Sequence, residues 1–120
     1  MWYFSFFCLN AVFFSIKSNK QAEKYADLAY RHDRYNAKAL VNKGNCLLIK
    51  GEFELSKQFY LEAIGVEADC VEAIYNLGLV NLKMAAYQEA LQAFDKLHTI
   101  IPHNPEVRFF LNIFFAALNV

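Results

Sequence analysis

Residues that break regular structure are scarce in this chain. It has four glycines and two prolines in 120 residues, and no low-complexity stretch that would serve as a linker. Length and composition therefore point to one all-α unit of about six helices with a modest core. The three cysteines, Cys8, Cys46 and Cys70, are an odd set without close spacing, which argues against a disulfide or zinc framework. Buried or capping thiols in a reducing compartment account for Cys46 and Cys70. His32, His98 and His103 have no ligand-like spacing, so no metal site is expected. Charge of either sign is not in excess, with 12 basic and 12 acidic side chains. No basic stripe exists to neutralise phosphates, and nucleic acid is not an expected partner. The chain also lacks a glycine-rich phosphate loop, a nucleophile elbow and a paired-acid motif. It is expected to be no enzyme, with no cofactor and no small-molecule substrate, and Asp27, Glu54, Glu62, Glu67 and Asp95 read as solvated helix faces.

What the chain does have is a period. Gly44 and Gly78 stand 34 residues apart, and Ala39/Ala73, Asn42/Asn76, Leu48/Leu82, Gln58/Gln92, Phe53/Tyr87, Ser56/Ala90, Tyr60/Phe94 and Val66/Ile100 keep the same offset. A 34-residue period with these small and aromatic positions resembles the tetratricopeptide repeat, a helix pair that buries its apolar face only by stacking on its neighbours. The fold class expected is an all-α right-handed solenoid of antiparallel helix pairs. Full repeats are expected at 37–70 and 71–104, the second helix of an earlier repeat at 21–36, and the first helix of a further one at 105–120. Residues 1–20 fall outside the pattern. Helices are expected at 21–34, 37–50, 53–66, 71–84, 87–100 and 105–118. The glycines let paired helices approach, and Tyr60 and Phe94 fill the space between repeats. Lys43 stands where leucine is usual, Asn81 replaces an aromatic residue, Ala68 replaces the closing proline, and Leu97 replaces a small residue.

Boundary signals agree with the period. Asp69 with Glu72 resembles a capping box. Asn104-Pro105-Glu106 supplies a cap, a proline at the first helical position and an early acid. Gly51 and Ala85-Ala86 mark turns within the pairs. Ala22, Tyr25 and Ala29 fit a second helix, with Asp33 near its close.

Both ends are unusually apolar. Residues 1–16, MWYFSFFCLNAVFFSI, have only Ser5, Asn10 and Ser15 as polar members. They lack the basic stretch and cleavage site of a signal peptide, and as a helix they span about 24 Å, short of a bilayer core of about 30 Å. The expectation is an apolar helix that stands in for the missing partner of residues 21–34, with a membrane anchor or an uncleaved signal as the alternative. At the other end Phe109, Phe110, Phe114 and Phe115 crowd a first helix with no second helix after it. The chain is expected to be a piece of a longer solenoid, and to self-associate in isolation.

First helices line the concave face of such a solenoid. The register places Val41, Asn45 and Leu48 there, then Tyr75, Asn76, Leu79 and Leu82, with Phe109 and Ile113 extending the row. An apolar floor with isolated amides suits an amphipathic segment of another protein, with Tyr75 as an aromatic anchor. A clamp for a terminal carboxylate would use Asn45 and Asn76 with cations around them. The cationic positions instead read Val41, Glu106 and Phe110, so the clamp is not expected.

Two runs carry a closer resemblance: AEKYADLAYRHDRYNAKALVNKGN and EAIYNLGLVNLKMAAYQEALQAFDKLHTIIPHNPEV. Over about residues 21–107 the chain resembles the Polaris family, the tetratricopeptide subunit of the intraflagellar transport B complex. The resemblance implies a non-enzymatic scaffold for cilium assembly and transport, with other subunits of that particle as partners. It also implies a place in the cytoplasm, ciliary basal body and axoneme. The alternative is a generic cytosolic repeat adaptor, such as a co-chaperone or an anaphase-complex-like subunit.

Overall fold

A computed structural model describes residues 21–118, all of whose regular structure is helical. The expectations for residues 1–16 lie outside the described residues. Six helices follow one another: α1 (21–32), α2 (Ala37–Lys50), α3 (Phe53–Val66), α4 (Val71–Lys83), α5 (Tyr87–Ile100) and α6 (Pro105–Leu118). They fall within a residue or two of the spans the period predicts. Helices α2 and α3 pair, as do α4 and α5. The two pairs then stack through α3 on α4, and α6 packs on α5. Helices α2 and α4 also touch directly, so the first helix of each pair lies on the inner side of the stack.

The glycines set the pairing distance. A Cβ on Gly44 would lie 2.7 Å from Tyr60 Cε1, and one on Gly78 would lie 2.7 Å from Phe94 Cε2. Carbon atoms in contact prefer about 3.5–4.0 Å, so any side chain at either position pushes the helix pair apart. Tyr60, Ala63, Ala90, Phe94 and Leu97 are sealed from solvent and form one core with Leu40, Ile74, Val80, Val107, Leu111 and Phe114. Leu97, at a usually small position, is accommodated as part of that core.

Caps end the helices where the sequence has the right side chains. Asn36 Oδ1 accepts from the Ala39 backbone N–H at 3.1 Å, and Asn104 Oδ1 accepts from those of Glu106 and Val107 at 3.0 and 3.1 Å. The expected capping box at Asp69 is absent. The residue that caps α4 is Cys70, whose side chain makes no capping bond, because the 34-residue register places the cap one residue later, in line with Asn36 and Asn104. Gly51 ends α2 in the left-handed region with φ 82°. Ala85, its equivalent, takes φ 58° in the turn after α4, a conformation that crowds a Cβ.

In α1 the register needs one correction. Tyr25 is exposed, whereas Ala22 and Ala26 are buried with Cys46. Position 26 lies one period before Tyr60, so the core-facing residue is Ala26; Ala29 is exposed as well. Nor is Asp27 a fully solvated acid: it pairs with Lys43 at 2.6 Å. Lys43 sits where leucine is usual by laying its stem along the α1–α2 contact, with Nζ 5.0 Å above the Tyr30 ring and 5.4 Å from the Phe59 ring. Tyr30 and Phe59 meet edge to face. A partly buried ammonium is thus held by one carboxylate and two ring faces. Lys50 also pairs with Glu23.

Candidate functional site

The period lines up the inner-face positions of α2, α4 and α6 in three rows: Val41, Tyr75 and Phe109; Asn45, Leu79 and Ile113; Leu48, Leu82 and Ala116. Burial divides them. Val41, Asn45, Tyr75 and Asn76 are buried, and Leu48, Leu79 and Leu82 are half-buried against the core. Phe109 and Ile113 are 62% and 48% exposed. The accessible apolar surface is therefore widest along α6, continues over Leu79 and Leu82 of α4, and narrows to Leu48 on α2.

Asn45, Tyr75 and Asn76 form the floor's polar seam. Asn45 Oδ1 accepts from Tyr60 Oη at 2.5 Å and from Asn76 Nδ2 at 3.0 Å, so the amides of α2 and α4 bond to each other across the repeat boundary. Tyr75 Oη donates to Glu106 Oε1 at 2.8 Å, and the Tyr75 ring meets Phe94 and Phe110 edge to face at 5.8 and 6.2 Å. Tyr75 is consequently a core residue that ties α4 to α6. Sequence reasoning made it an anchor because it is an aromatic residue at an inner-face register position, and position alone does not reveal that α6 closes over it.

Electrostatics along the seam are acidic. Burial pushes the Glu72 carboxyl above its ordinary value, against the pull of Lys38 and a hydrogen bond with Asn45. Glu72 and Glu106 occupy equivalent positions one period apart, and sequence reasoning had not grouped them. With Val41, Glu106 and Phe110 at the places where a carboxylate clamp has cations, a terminal carboxylate meets like charge there. Burial also raises the thiol pKa of both Cys46 and Cys70. Among the described residues no cluster of three His, Cys, Asp or Glu side chains is arranged to hold a metal ion, and no helix is long and apolar enough to cross a membrane.

The geometry defines a class: helix pairs stacked at a fixed 34-residue interval with an inner face, which is a binding fold. The tetratricopeptide repeat profile matches residues 37–70 and 71–104, and the chain belongs to that family. No curated protein matches it by sequence. Solved structures do match by fold. The structure of MamA aligns with TM-score 0.74 at 20% identity, over 80% of this chain and 56% of that one, so this chain spans little more than half of its length. The first tetratricopeptide domain of Spaghetti, bound to the HSP90 peptide SRMEEVD, aligns with TM-score 0.75 at 18% identity over 94% of each chain. The Yersinia enterocolitica type III secretion chaperone SycD, in complex with a peptide of the translocator YopD, aligns with TM-score 0.76 at 17% identity over 92% and 91%. At these identities the likeness is one of fold.

Proposed function

We propose that this chain is a scaffold that holds an apolar segment of another protein along the inner faces of α4 and α6. The observation that carries this reading is the row of Leu79, Leu82, Phe109 and Ile113, apolar side chains left half-buried or exposed at successive inner-face positions. Apolar side chains at three- and four-residue spacing suit an amphipathic helix or an extended apolar strand of a partner. Two structural neighbours are described as complexes with peptides of other proteins, which favours a peptide-holding adaptor of the chaperone or co-chaperone kind. The seam at Asn45, Asn76 and Glu106 argues for a segment recognised internally rather than by its terminal carboxylate.

A second setting rests on the two sequence runs that resemble the Polaris family: the same inner face would then dock a segment of another intraflagellar transport B subunit. Affinity capture from ciliated cells, with the wild-type chain and a Leu79→Ser, Phe109→Ser variant of unchanged helicity, separates the settings. Recovery of transport-particle subunits, lost in the variant, identifies the ciliary scaffold. Recovery of chaperones or their clients, lost in the variant, identifies the adaptor. Capture that survives both substitutions contradicts the inner-face reading.

A further inference from the structure

On the opposite side of the stack from the inner face, α3 and α5 flank a surface cleft of about 510 Å³ over α4. Leu61, Ile64, Ile74, Leu77 and Ala93 make its apolar walls, with Lys57, Glu89, Gln92 and Lys96 around them. Lys57 and Glu89 pair at 2.5 Å, bridging α3 to α5. Asn81 also lines the cleft, where the repeat pattern has an aromatic residue. Its side chain is 98% buried, given a relative exposure of 2%, yet Oδ1 has no hydrogen-bond partner among the described residues. An unmet buried acceptor is costly, and native interiors rarely keep one.

We propose that this cleft is a second binding site, which takes a tyrosine side chain from an acidic segment of a partner protein. The apolar walls suit an aromatic ring. The ring is what the repeat pattern has at position 81 and this chain lacks. A phenolic O–H is the donor that Asn81 Oδ1 lacks, and phenylalanine could not supply it. Two lysines against one glutamate leave the cleft with an excess of positive charge, which favours carboxylates beside the tyrosine. Asn81 therefore acts as the specificity residue, and Lys96, exposed at the edge, as the electrostatic one.

The test is NMR titration of the full chain with two probes, acetyl-Asp-Tyr-Asp-amide and the same peptide with phenylalanine. The proposal expects the tyrosine peptide to shift the side-chain amide signals of Asn81 and Gln92, and to bind about tenfold more tightly than the phenylalanine peptide, the ratio of one hydrogen bond. Asn81→Tyr, which fills the cleft with the chain's own ring, should abolish the shift of Gln92, the cleft amide that remains in that variant. Lys96→Glu alters only an exposed side chain and should weaken the acidic peptide severalfold while leaving the tyrosine preference in place. Equal affinity for the two peptides, an absence of shifts at Asn81 in the wild-type chain, or a Gln92 shift that persists in Asn81→Tyr would each overturn the proposal. Because these signals arise from α4 and α5 on the outer side, failure here leaves the inner-face reading intact.

Discussion

The repeat at 37–70 and the repeat at 71–104 share one backbone plan and hold it together by different chemistry. In the first, Tyr60 packs on Gly44 and its hydroxyl is anchored to Asn45. Ser56 Oγ donates to the Gly44 carbonyl at 2.7 Å, Asn36 caps the leading helix, and Gly51 makes the turn. In the second, Phe94 packs on Gly78 without a hydroxyl and stacks instead on Phe110 at 4.8 Å and Phe114 at 5.8 Å. Ala90 replaces Ser56, Cys70 stands at the cap, and Ala85 makes the turn with a strained φ. Polar clips in one repeat are thus replaced by aromatic stacking in the other. What both keep is volume and spacing, and these are what the fold demands.

The largest expected effect probes the shared feature. Gly44→Leu and Gly78→Leu should each cost about 1–3 kcal/mol or more in urea unfolding, because the new side chain enters space the facing ring already fills. The loss at Gly44 should be the larger by about 1 kcal/mol, since displacing Tyr60 also breaks a buried hydrogen bond. Equal losses would show that the tyrosine hydroxyl contributes little, and a neutral result at either site would mean the register is wrong.

Capping offers a way to make the two repeats more alike. Asn36→Ala should cost about 1 kcal/mol. Cys70→Asn should gain about 0.5–1 kcal/mol by supplying the missing cap, less the packing of the cysteine against the core. No gain would indicate that the start of α4 is held by packing alone. The turns give a smaller contrast: Ala85→Gly should gain up to about 1 kcal/mol by relieving the left-handed strain, offset in part by the added freedom of the unfolded chain. Thermal melts of the single and double variants should show near-additive shifts.

The smallest expected effect depends on pH. Glu72 has its pKa raised in the folded state, so the folded chain binds its proton more tightly than the unfolded one. Its contribution to stability is fully present below the ordinary value of 4.5 and is lost as pH rises through the folded-state value. Glu72→Gln should therefore raise the melting temperature slightly at neutral pH, with the advantage vanishing in acid. An advantage that grows as pH falls would contradict the assignment.

The fold was legible because its determinants are local and periodic. Small residues at 44, 78 and 90 and rings at 60 and 94 announce both the pairing and the interval. The cap at Asn104 and the turn at Gly51 could be read directly. Cys70 was missed as a cap because Asp69 beside it is the better capping residue by type, and only the offset from Asn36 and Asn104 distinguishes them. The inner face was legible as a set of positions, and less so as a surface. Whether Val41, Asn45, Tyr75 and Asn76 are reachable depends on how closely α2, α4 and α6 come together, which no single helix encodes. Lys43 and Asn81 were visible as departures, yet their consequences lie in three dimensions. One lies over two ring faces, and the other lines a cleft.

The central claim is that the inner face binds an apolar internal segment rather than a charged terminus, and the dependence of binding on salt tests it most directly. With the captured partner segment as ligand, affinity should change little between about 0.05 and about 1 M salt, a range over which the screening length falls to about 3 Å. It should also be indifferent to amidation of the segment's carboxyl terminus. Affinity that falls steeply with salt and is lost on amidation would show a carboxylate clamp at work, and would contradict the account.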